Sequence, residues 1–372
     1  MTATITHLEP HLFRAPIATP VANAFGAMSN RPALFLRIAA SDGAYGWGEV
    51  FCNFPQVGAE HRKRLVESIF RPICVGQQAG DPDALRALLQ GRTRAMAIQC
   101  GEPGPFAQIT GAIDQALHDL CARRAGVPLW KFLGGKDASV RVYASGMGPD
   151  NVVKVALAKR DAGYRAFKVK VGFGAERDRA NLTAMREALG EGATIMSDAN
   201  QAWSPAEAPQ RIAELAPSRP LWIEEPMLAD EPLAEWTRLA RASAVPIAAG
   251  ENIRGDAAFD AALEAAYLHY VQPDVGKWGG IGGCRDVAQR ALARDVVYCP
   301  HWLAGGIGLA ASMHLLAAVG QGRGYAEVDA NPNPLREEVY PMQVIDGSVR
   351  LPDAPGLGIE PDLVRLAAMR ID

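Results

Sequence analysis

The chain has 372 residues, of which 49% are hydrophobic and 21% are charged, and its formal net charge is −3. This charge balance excludes the basic surface of a protein that binds nucleic acid or an acidic membrane. The sequence starts without a signal-peptide pattern and has no run of about 18 apolar residues, so it predicts no membrane span.

The six cysteines are scattered along the chain and form no Cys-x-x-Cys pair. In a chain of this length, such spacing is typical of buried, reduced thiols and not of a disulfide framework or a zinc site. We therefore expect a cytoplasmic protein.

Residues 1–128 are predicted to form a small α+β domain, because strand-like runs come first and helical spacing follows. Two apolar runs on either side of the turn sequence at 41–43 predict a β-hairpin. Helical spacing extends from about residue 59 to residue 91 and from 109 to 125, where Gly126 ends the second helix. The chain is too long for a single core, so a larger domain is expected to follow.

Residues 129–345 show a different pattern, in which short strand-like runs alternate with helical stretches. Repeated βα units predict an α/β fold with a parallel sheet, and their number favours a closed (β/α) barrel. The alternative is an open doubly wound sheet, but no Gly-x-Gly-x-x-Gly motif follows a first strand and no phosphate-binding loop is present. Residues 346–372 return to a strand-and-turn pattern and are predicted to pack back on the first domain.

Most of the strand-like runs end on a charged or polar residue. These residues follow one another at intervals of 23 to 28 residues, which is the length of one βα unit. The carboxyl ends of barrel strands surround the active site, so these side chains are expected to converge. In chain order they are Lys170, Asp198, Glu224, Glu251, Asp274, His301 and Glu327.

Three consecutive strand ends are acidic, namely Asp198, Glu224 and Glu251. Carboxylates that lie close together repel one another and resist burial unless a cation is present. An all-oxygen set favours Mg²⁺, with Mn²⁺ as a possible substitute, over zinc. The alternative is that each acid pairs with a lysine or arginine elsewhere.

The remaining strand ends offer acid–base groups. Lys168 and Lys170 are two residues apart and should share the inner face of one strand, where each disfavours protonation of the other. This makes a lysine a candidate base, although such a pair is usually an exposed strand face. Asp274 precedes His301 by one strand and should fix its tautomer, which makes the histidine a second acid or base, or else a structural residue.

Glu327 is the last of the series. A protonated Glu327 would donate a hydrogen bond to a substrate carboxylate. The alternative is an ordinary ion pair at the rim of the barrel.

The motifs KVK, DAN, IEEP, GEN, QPDVGKWGG and CPH, in this order and spacing, resemble the enolase superfamily. The resemblance implies a modified TIM-type (β/α) barrel with an N-terminal α+β capping domain that closes over its mouth. It also implies metal ligands at the three acids, a base at Lys170 and its partner at Lys168. Asp274 stands where muconate-lactonizing and dipeptide-epimerizing relatives have a second lysine, so with His301 the chain resembles the mandelate racemase group. Lys277 does not match that second lysine and is left out of the expected mechanism.

The resemblance implies magnesium-dependent removal of the proton α to a substrate carboxylate through an enediolate. The expected outcome is dehydration of a sugar acid to a 2-keto acid. The alternatives are cycloisomerisation of a sugar-acid lactone or anhydro sugar acid, racemisation or epimerisation of a 2-hydroxy acid, and a non-catalytic barrel that binds a carboxylate. The expected partner is a small carboxylate and not nucleic acid or a membrane, and a homo-oligomer is expected.

Substrate selection is expected from two capping loops, at residues 21–30 and 51–58. Arg31, at the edge of the first loop, is their one candidate for binding a second carboxylate. Five other side chains of these loops are candidates for contact with substrate hydroxyls or the carbon skeleton, namely Asn23, Phe25, Asn30, Asn53 and Phe54.

Overall fold

A computed structural model describes residues 3–23 and 26–371 of the chain. The N-terminal part contains an antiparallel three-stranded sheet in the order β1-β2-β3. Its strands are β1 (Ile5–Asn23), β2 (Gly26–Ala40) and β3 (Tyr45–Val50). The turn between β2 and β3 includes Gly43 at φ +85°, so the predicted hairpin is confirmed.

Helices cover one face of this sheet. They are α1 (Gly58–Leu65), continued by a π-helical turn (Val66–Phe70) into α2 (Arg71–Cys74), then α3 (Pro82–Gln99) and α4 (Pro103–Arg124). The helical stretch predicted as continuous from 59 to 91 is therefore interrupted before α3. Asp81 explains the new start, because its side chain accepts the N–H of Ala84 and caps α3.

The helix α4 lies between the sheet and the barrel and is buried on nearly all sides. Two glycines of β3 allow its backbone to approach the helix: a Cβ atom on Gly46 would lie 2.2 Å from the carbonyl oxygen of Ala116, and one on Gly48 would lie 2.0 Å from that of Ala112. On the opposite side, a Cβ atom on Gly111 would lie 2.8 Å from the carbonyl oxygen of Val275. Close backbone packing on both sides thus fixes the capping domain on the barrel.

Eight parallel strands form the barrel. They are β4 (Ser139–Met147), β5 (Ala166–Lys170), β6 (Thr194–Asp198), β7 (Ile223–Glu224), β8 (Ile247–Ala249), β9 (Tyr270–Val271), β10 (Val297–Tyr298) and β11 (Ala326–Asp329). The eighth strand, β11, pairs with the first, β4, which contradicts an open doubly wound sheet. Within the described residues no ladder joins β10 to β11, but a Cβ atom on Gly324 would lie 2.0 Å from the carbonyl oxygen of Tyr298, so the two strands are adjacent. The predicted modified (β/α) barrel is confirmed.

Helices alternate with these strands and form the outer layer of the barrel. They are α5 (Leu129–Phe132), α6 (Val152–Asp161), α7 (Ala175–Leu189), α8 (Ala208–Leu215), α9 (Leu233–Ala242), α10 (Asp256–Glu264), α11 (Gly280–Leu292), α12 (Gly306–Val319) and α13 (Pro334–Glu337). Short 3₁₀ turns occur at Ala216–Ser218 and Ala367–Met369.

The C-terminal segment contributes β12 (Ser348–Arg350), which pairs antiparallel with β4. It then contacts the capping domain, where the N–H of Leu357 donates to Asp119 at 2.7 Å and the N–H of Ile371 donates to the carbonyl oxygen of Leu12 at 2.9 Å. The domain boundaries at residues 128 and 345 stay predictions. Among the helices of the described ranges, none is long and apolar enough to cross a membrane. All six cysteines are free, and five of them are buried.

Candidate active site

Alternation along the barrel strands decides which side chains enter the site. On β5, Phe167 packs outward into the core that the helices cover, so Lys168 and Lys170 lie on the opposite, inner face. Lys170 is in register with Asp198 on β6, and Asp198 is in register with Glu224 on β7. The predicted inner-face lysine pair and the first two predicted acids are thus brought together at adjacent strand ends.

An apolar cluster closes the barrel beneath these charges. It comprises Tyr143, Ala166, Met196, Trp222, Ala248 and Cys299. The ammonium of Lys168 lies 5.2 Å from the centre of the Tyr143 ring, at the boundary between the cluster and the charged layer. Because this floor excludes water, the charges above it interact more strongly than they would at a surface.

Lys168 is fully buried and is held by three carboxylates. Its Nζ lies 2.6 Å from Glu224 Oε1, 2.8 Å from Glu327 Oε1 and 3.5 Å from Asp198 Oδ2. Burial opposes charge on Lys168, but Glu224 and Glu327 hold its pKa well above the ordinary lysine value. The carboxylates around Lys168 thus outweigh any repulsion from Lys170, and Lys168 is a buried positive charge.

Lys170 borders the cavity above the strand ends. Its Nζ lies 2.5 Å from Asp198 Oδ2. Burial opposes its charge, whereas Asp198 raises the pKa of Lys170 above the ordinary value and Lys168 lowers it by a smaller amount. The basicity of Lys170 is thus controlled by what Asp198 binds.

His301 follows β10 and lies among three carboxylates. Its Nδ1 is 2.5 Å from Asp274 Oδ2, and its Nε2 is 3.0 Å from Glu251 Oε2 and 3.6 Å from Glu327 Oε2. Burial would lower the pKa of His301, but Glu251, Glu327 and the hydrogen bond with Asp274 raise it to about 9. The other oxygen of Asp274 accepts the N–H of Gly276 at 2.7 Å, which fixes the carboxylate that orients the ring. The predicted contact between Asp274 and His301 is confirmed.

The three acids predicted to bind a divalent ion are buried side by side but do not form an open cage. Each is turned onto a cationic group: Asp198 onto Lys170, Glu224 onto Lys168, and Glu251 onto Lys277 and His301. In the part of the chain that the structure covers, no three acidic, histidine or cysteine side chains are already arranged so that they could hold a metal ion. The metal assignment therefore stays a prediction.

The chemistry of this set nevertheless fits a magnesium ion. All of the candidate donor atoms are carboxylate oxygens, which Mg²⁺ prefers. A further acid, Glu225, is buried beside them, and its Oε1 has no hydrogen-bond partner among the described residues. Burial and then the charge of Glu251 raise the pKa of Glu225 well above the ordinary value. The site thus contains more buried carboxylate than its own cations satisfy.

Glu327 on β11 lies inside the ring of charges and not at its rim. It accepts hydrogen bonds from the Ser145 hydroxyl and, at 3.2 Å, from the N–H of Trp302. Burial raises its pKa, but Lys168 and His301 lower it below the ordinary value. In this arrangement Glu327 accepts hydrogen bonds from its neighbours, and its proposed donation to a substrate carboxylate stays a prediction.

Lys277 and Gln272 contact the predicted acids but were not among the site residues predicted from the sequence. Lys277 was left out of the expected mechanism, but its ammonium bonds to Glu251, and its main-chain N–H donates to Asp274 Oδ1 at 3.0 Å. Gln272 donates to Glu224 Oε2 at 2.6 Å. Gln272 lies two residues before Asp274, so the alternation of inner and outer positions was a signal that pointed to it.

A cavity of about 760 Å³ opens above Lys170 and His301. The predicted second capping loop lines it with Phe51, Asn53 and Phe54. The Nδ2 of Asn53 donates to a main-chain carbonyl of the loop after β10 at 2.5 Å, so the capping loop is attached to the barrel at this point. The second capping loop therefore borders the same cavity as Lys170 and His301, and its contact with substrate stays a prediction.

The first capping loop contributes less to this cavity. Asn30 accepts a hydrogen bond from Arg14 at 2.7 Å and borders a neighbouring cavity of about 410 Å³. Phe25 and the side chain of Asn23, two of the predicted contacts, lie outside the described residues.

Arg31 is not available to a second substrate carboxylate. It is buried, and its Nη2 lies 2.5 Å from Asp329 Oδ2 on β11. The ion pair attaches the capping sheet to the barrel, so this prediction is wrong. The arginines that line the cavity are Arg62 and Arg254, which no sequence motif singled out.

Two family models match the chain. Residues 7–134 match the mandelate racemase / muconate lactonizing enzyme N-terminal domain, and residues 151–365 match the enolase C-terminal domain-like model. The two matches cover the capping domain and the barrel, in agreement with the resemblance of the sequence motifs.

Curated relatives match most of the chain. A D-galactarolactone cycloisomerase from Agrobacterium fabrum is 31% identical, and the match covers 96% of this chain and 96% of the relative. A D-galactonate dehydratase from Klebsiella pneumoniae is 34% identical, and the match covers 76% of this chain and 74% of the relative.

Solved structures are similar over the whole chain. A mandelate racemase/muconate lactonizing enzyme from Bordetella bronchiseptica is 48% identical with a TM-score of 0.94, over 99% of this chain and 100% of that one. A racemase from Streptomyces coelicolor with bound magnesium is 32% identical with a TM-score of 0.89, over 99% of this chain and 100% of that one.

Proposed function

Since this chain belongs to the mandelate racemase/muconate lactonizing enzyme family of the enolase superfamily, we propose that it removes the proton α to the carboxylate of a sugar acid and then eliminates the β-oxygen. It is an enzyme, a lyase or an isomerase, like its relatives. One observation carries the proposal: Lys170 and His301 line the same cavity, and each is bonded to an acid that controls its proton.

The proposed metal ligands are Asp198, Glu224 and Glu251, and the proposed ion is magnesium, as in the Streptomyces coelicolor racemase. A bound Mg²⁺ supplies the positive charge that stabilises the enediolate and competes with the cationic side chains for these carboxylates. The proposal that manganese can replace magnesium is based only on the all-oxygen ligand set, which suits both ions.

Lys170 and His301 divide the two proton transfers in the proposed mechanism. One removes the proton from C2, and the electron pair of the C–H bond moves into the carboxylate to give the enediolate. When the enediolate collapses, a C2=C3 double bond forms and the C3–O bond breaks. The other residue protonates the departing hydroxyl, which leaves as water, and the enol takes up a proton at C3 to give a 2-keto acid.

Cycloisomerisation is the second candidate, and the Agrobacterium fabrum relative favours it because the match covers nearly the whole of both chains. The same two proton transfers serve this reaction. The leaving oxygen is then a ring oxygen that stays in the product, so the product is an isomer of the substrate. A barrel that only bound a carboxylate would need neither proton donor nor acceptor.

The test is a panel of aldonates, aldarates and their lactones with magnesium present, assayed for 2-keto acid and for isomeric products. Lys170→Ala and His301→Asn should each lower kcat by about 10² to 10⁴. Lys136→Ala, at an exposed position, is the matched control and should change nothing. In ²H₂O, the variant that still exchanges the α-proton retains the base.

Normal turnover in both active-site variants would refute the mechanism. An isomeric product without keto acid would favour cycloisomerisation over dehydration. The proposed partner is a small carboxylate, whereas assembly as a homo-oligomer and a cytoplasmic location stay predictions.

A further inference from the structure

The cavity above the active-site residues has a second group of cations. Its lining includes Arg62 and Arg254 in addition to Lys170 and His301. Arg62 lies on α1 of the capping domain, and Arg254 lies in the loop between β8 and α10 of the barrel. Each part of the fold thus supplies one guanidinium, and neither has a role in the proposed proton transfers.

Arg62 is a buried charge without a buried counter-charge. It is 4% exposed, and its hydrogen bonds go to neutral acceptors: Gln108 Oε1 at 2.6 Å, the Gly58 carbonyl oxygen at 2.8 Å and the Phe54 carbonyl oxygen at 3.5 Å. No carboxylate of the described residues forms an ion pair with it. Buried charges are normally paired, and the 3.5 Å bond is weak, so Nη2 is suited to an incoming anion.

Arg254 is exposed and, within residues 3–23 and 26–371, makes neither a hydrogen bond nor an ion pair. It lies over Gly104, where an added Cβ atom would be 3.8 Å from its Cζ. Burial lowers the pKa of Arg62, and the positive charge of Arg254 lowers it further. Glu102 opposes this effect, but its own carboxylate pairs with His61 at 3.2 Å. The two arginines therefore repel each other across a shared space.

We propose that Arg62 and Arg254 bind a second anionic group of the substrate, so that the preferred substrate is a sugar dicarboxylate and not a monocarboxylate. This inference rests on the proposed function, in which Lys170 and His301 act on the carbon atoms next to the first carboxylate. Guanidinium groups bind carboxylates through paired hydrogen bonds, and an anion between them removes their repulsion. A cavity of about 760 Å³ has the size of a small-molecule site and extends to both groups of cations.

In the cycloisomerisation of a lactone, the end of the cavity at Arg62 and Arg254 would also have a role. When the ring C–O bond of an aldaric lactone breaks at the β-carbon, the acyl oxygen becomes part of a free carboxylate. The two arginines would stabilise that leaving carboxylate. The inference therefore holds for both candidate reactions.

The decisive variant is Arg254→Met, because Arg254 makes no contact that the fold depends on. We compare kcat/KM for six-carbon diacids (galactarate, glucarate) with that for the matching monoacids (galactonate, gluconate). Loss of a charge-assisted contact should lower kcat/KM for diacids by about 10- to 100-fold through a higher KM, and leave monoacids within about twofold. Arg254→Lys should recover part of the loss, and Arg241→Met, on the exposed side of α9, is the matched control.

A binding measurement separates this inference from the proposed function. Calorimetry with adipate and hexanoate, in the presence of magnesium, tests the second anionic contact without turnover. Tighter binding of adipate that is lost in Arg254→Met supports the inference even if no sugar acid is turned over. The inference would be overturned if Arg254→Met lowered kcat/KM equally for diacids and monoacids, or if it changed neither. Either result would leave the proposed reaction itself in place.

Discussion

Asp274→Asn is the substitution that isolates the role of the Asp274–His301 contact. Asp274 Oδ1 accepts the N–H groups of Gly276 at 2.7 Å and of Lys277 at 3.0 Å, and Oδ2 faces His301 Nδ1 at 2.5 Å. Asparagine retains an oxygen for the two main-chain groups, so the loop should keep its shape. Its NH₂ group then faces Nδ1, where it can donate to a neutral ring but cannot accept the hydrogen bond that the N–H of an imidazolium donates.

The expected fall in kcat follows from the loss of the hydrogen bond to His301 and from the misplacement of its ring. A hydrogen bond to a charged group contributes about 1.5–3 kcal/mol, and a misplaced general acid or base costs about 10² to 10⁴ in rate. We therefore expect kcat to fall by about 10²- to 10⁴-fold, which is about 2.7 to 5.4 kcal/mol in the activation barrier. The assay is steady-state turnover of the best sugar acid with magnesium, and thermal unfolding shows that the variant is folded.

The matched control is Asp295→Asn, which removes an exposed carboxylate 2.9 Å from Arg323. Exposed pairs contribute only about 0–1 kcal/mol, so both turnover and stability should stay near the wild-type values. If folded Asp274→Asn keeps kcat within about tenfold of wild type, the assignment of His301 as a proton carrier held by Asp274 fails.

Three further outcomes are expected. Burial raises the pKa of Glu49 to about 8, above the value of 4.5 for the unfolded chain. The folded chain therefore favours the protonated Glu49 carboxyl group. The stability that this group contributes is full at low pH and is lost as the pH rises through 8. The thermal midpoint should therefore fall between about pH 5 and 8, and Glu49→Gln should flatten this slope; parallel curves would contradict the burial argument. Chelation of divalent ions should abolish turnover, magnesium should restore it, and Glu251→Gln should weaken the response to magnesium in a titration of activity. Gly48→Ala places a Cβ atom 2.0 Å from the Ala112 carbonyl oxygen and should lower the thermal midpoint by several degrees, whereas Gly91→Ala, with open space around it, should not.

The sequence predicted the barrel and most of the charged ring because both follow from simple periods. The length of a βα unit brings successive strand ends to one rim, and alternation along a strand separates inner from outer residues. These two rules place Lys168, Lys170, Asp198 and Glu224 without any knowledge of tertiary contacts. The ends of the helices in the capping domain were predicted less accurately, because the cap at Asp81 starts a new helix inside a stretch whose helical spacing is continuous.

The residues that the sequence did not predict depend on contacts between distant segments. Arg31 is exposed in a sequence-based view of the capping loop, but the barrel strand β11 supplies Asp329 as its partner. Arg62 and Arg254 share a cavity only because α1 is placed over the loop after β8. The protonation of Glu327 likewise depends on Lys168 and His301, which lie far from it in sequence. Such facts follow from packing and not from spacing.

Charge balance connects the site to the metal that we propose. Six carboxylates are buried in and around it, belonging to Asp198, Glu224, Glu225, Glu251, Asp274 and Glu327. Four cationic groups face them, on Lys168, Lys170, Lys277 and His301. The chain alone relieves the excess of negative charge by raising the pKa of Glu224, through burial first of all, to about 7, and that of Glu225 well above the ordinary value. One divalent cation would neutralise the same two charges. Because the lysines and His301 already satisfy most of the carboxylates, loss of that cation should stop turnover and leave the chain folded.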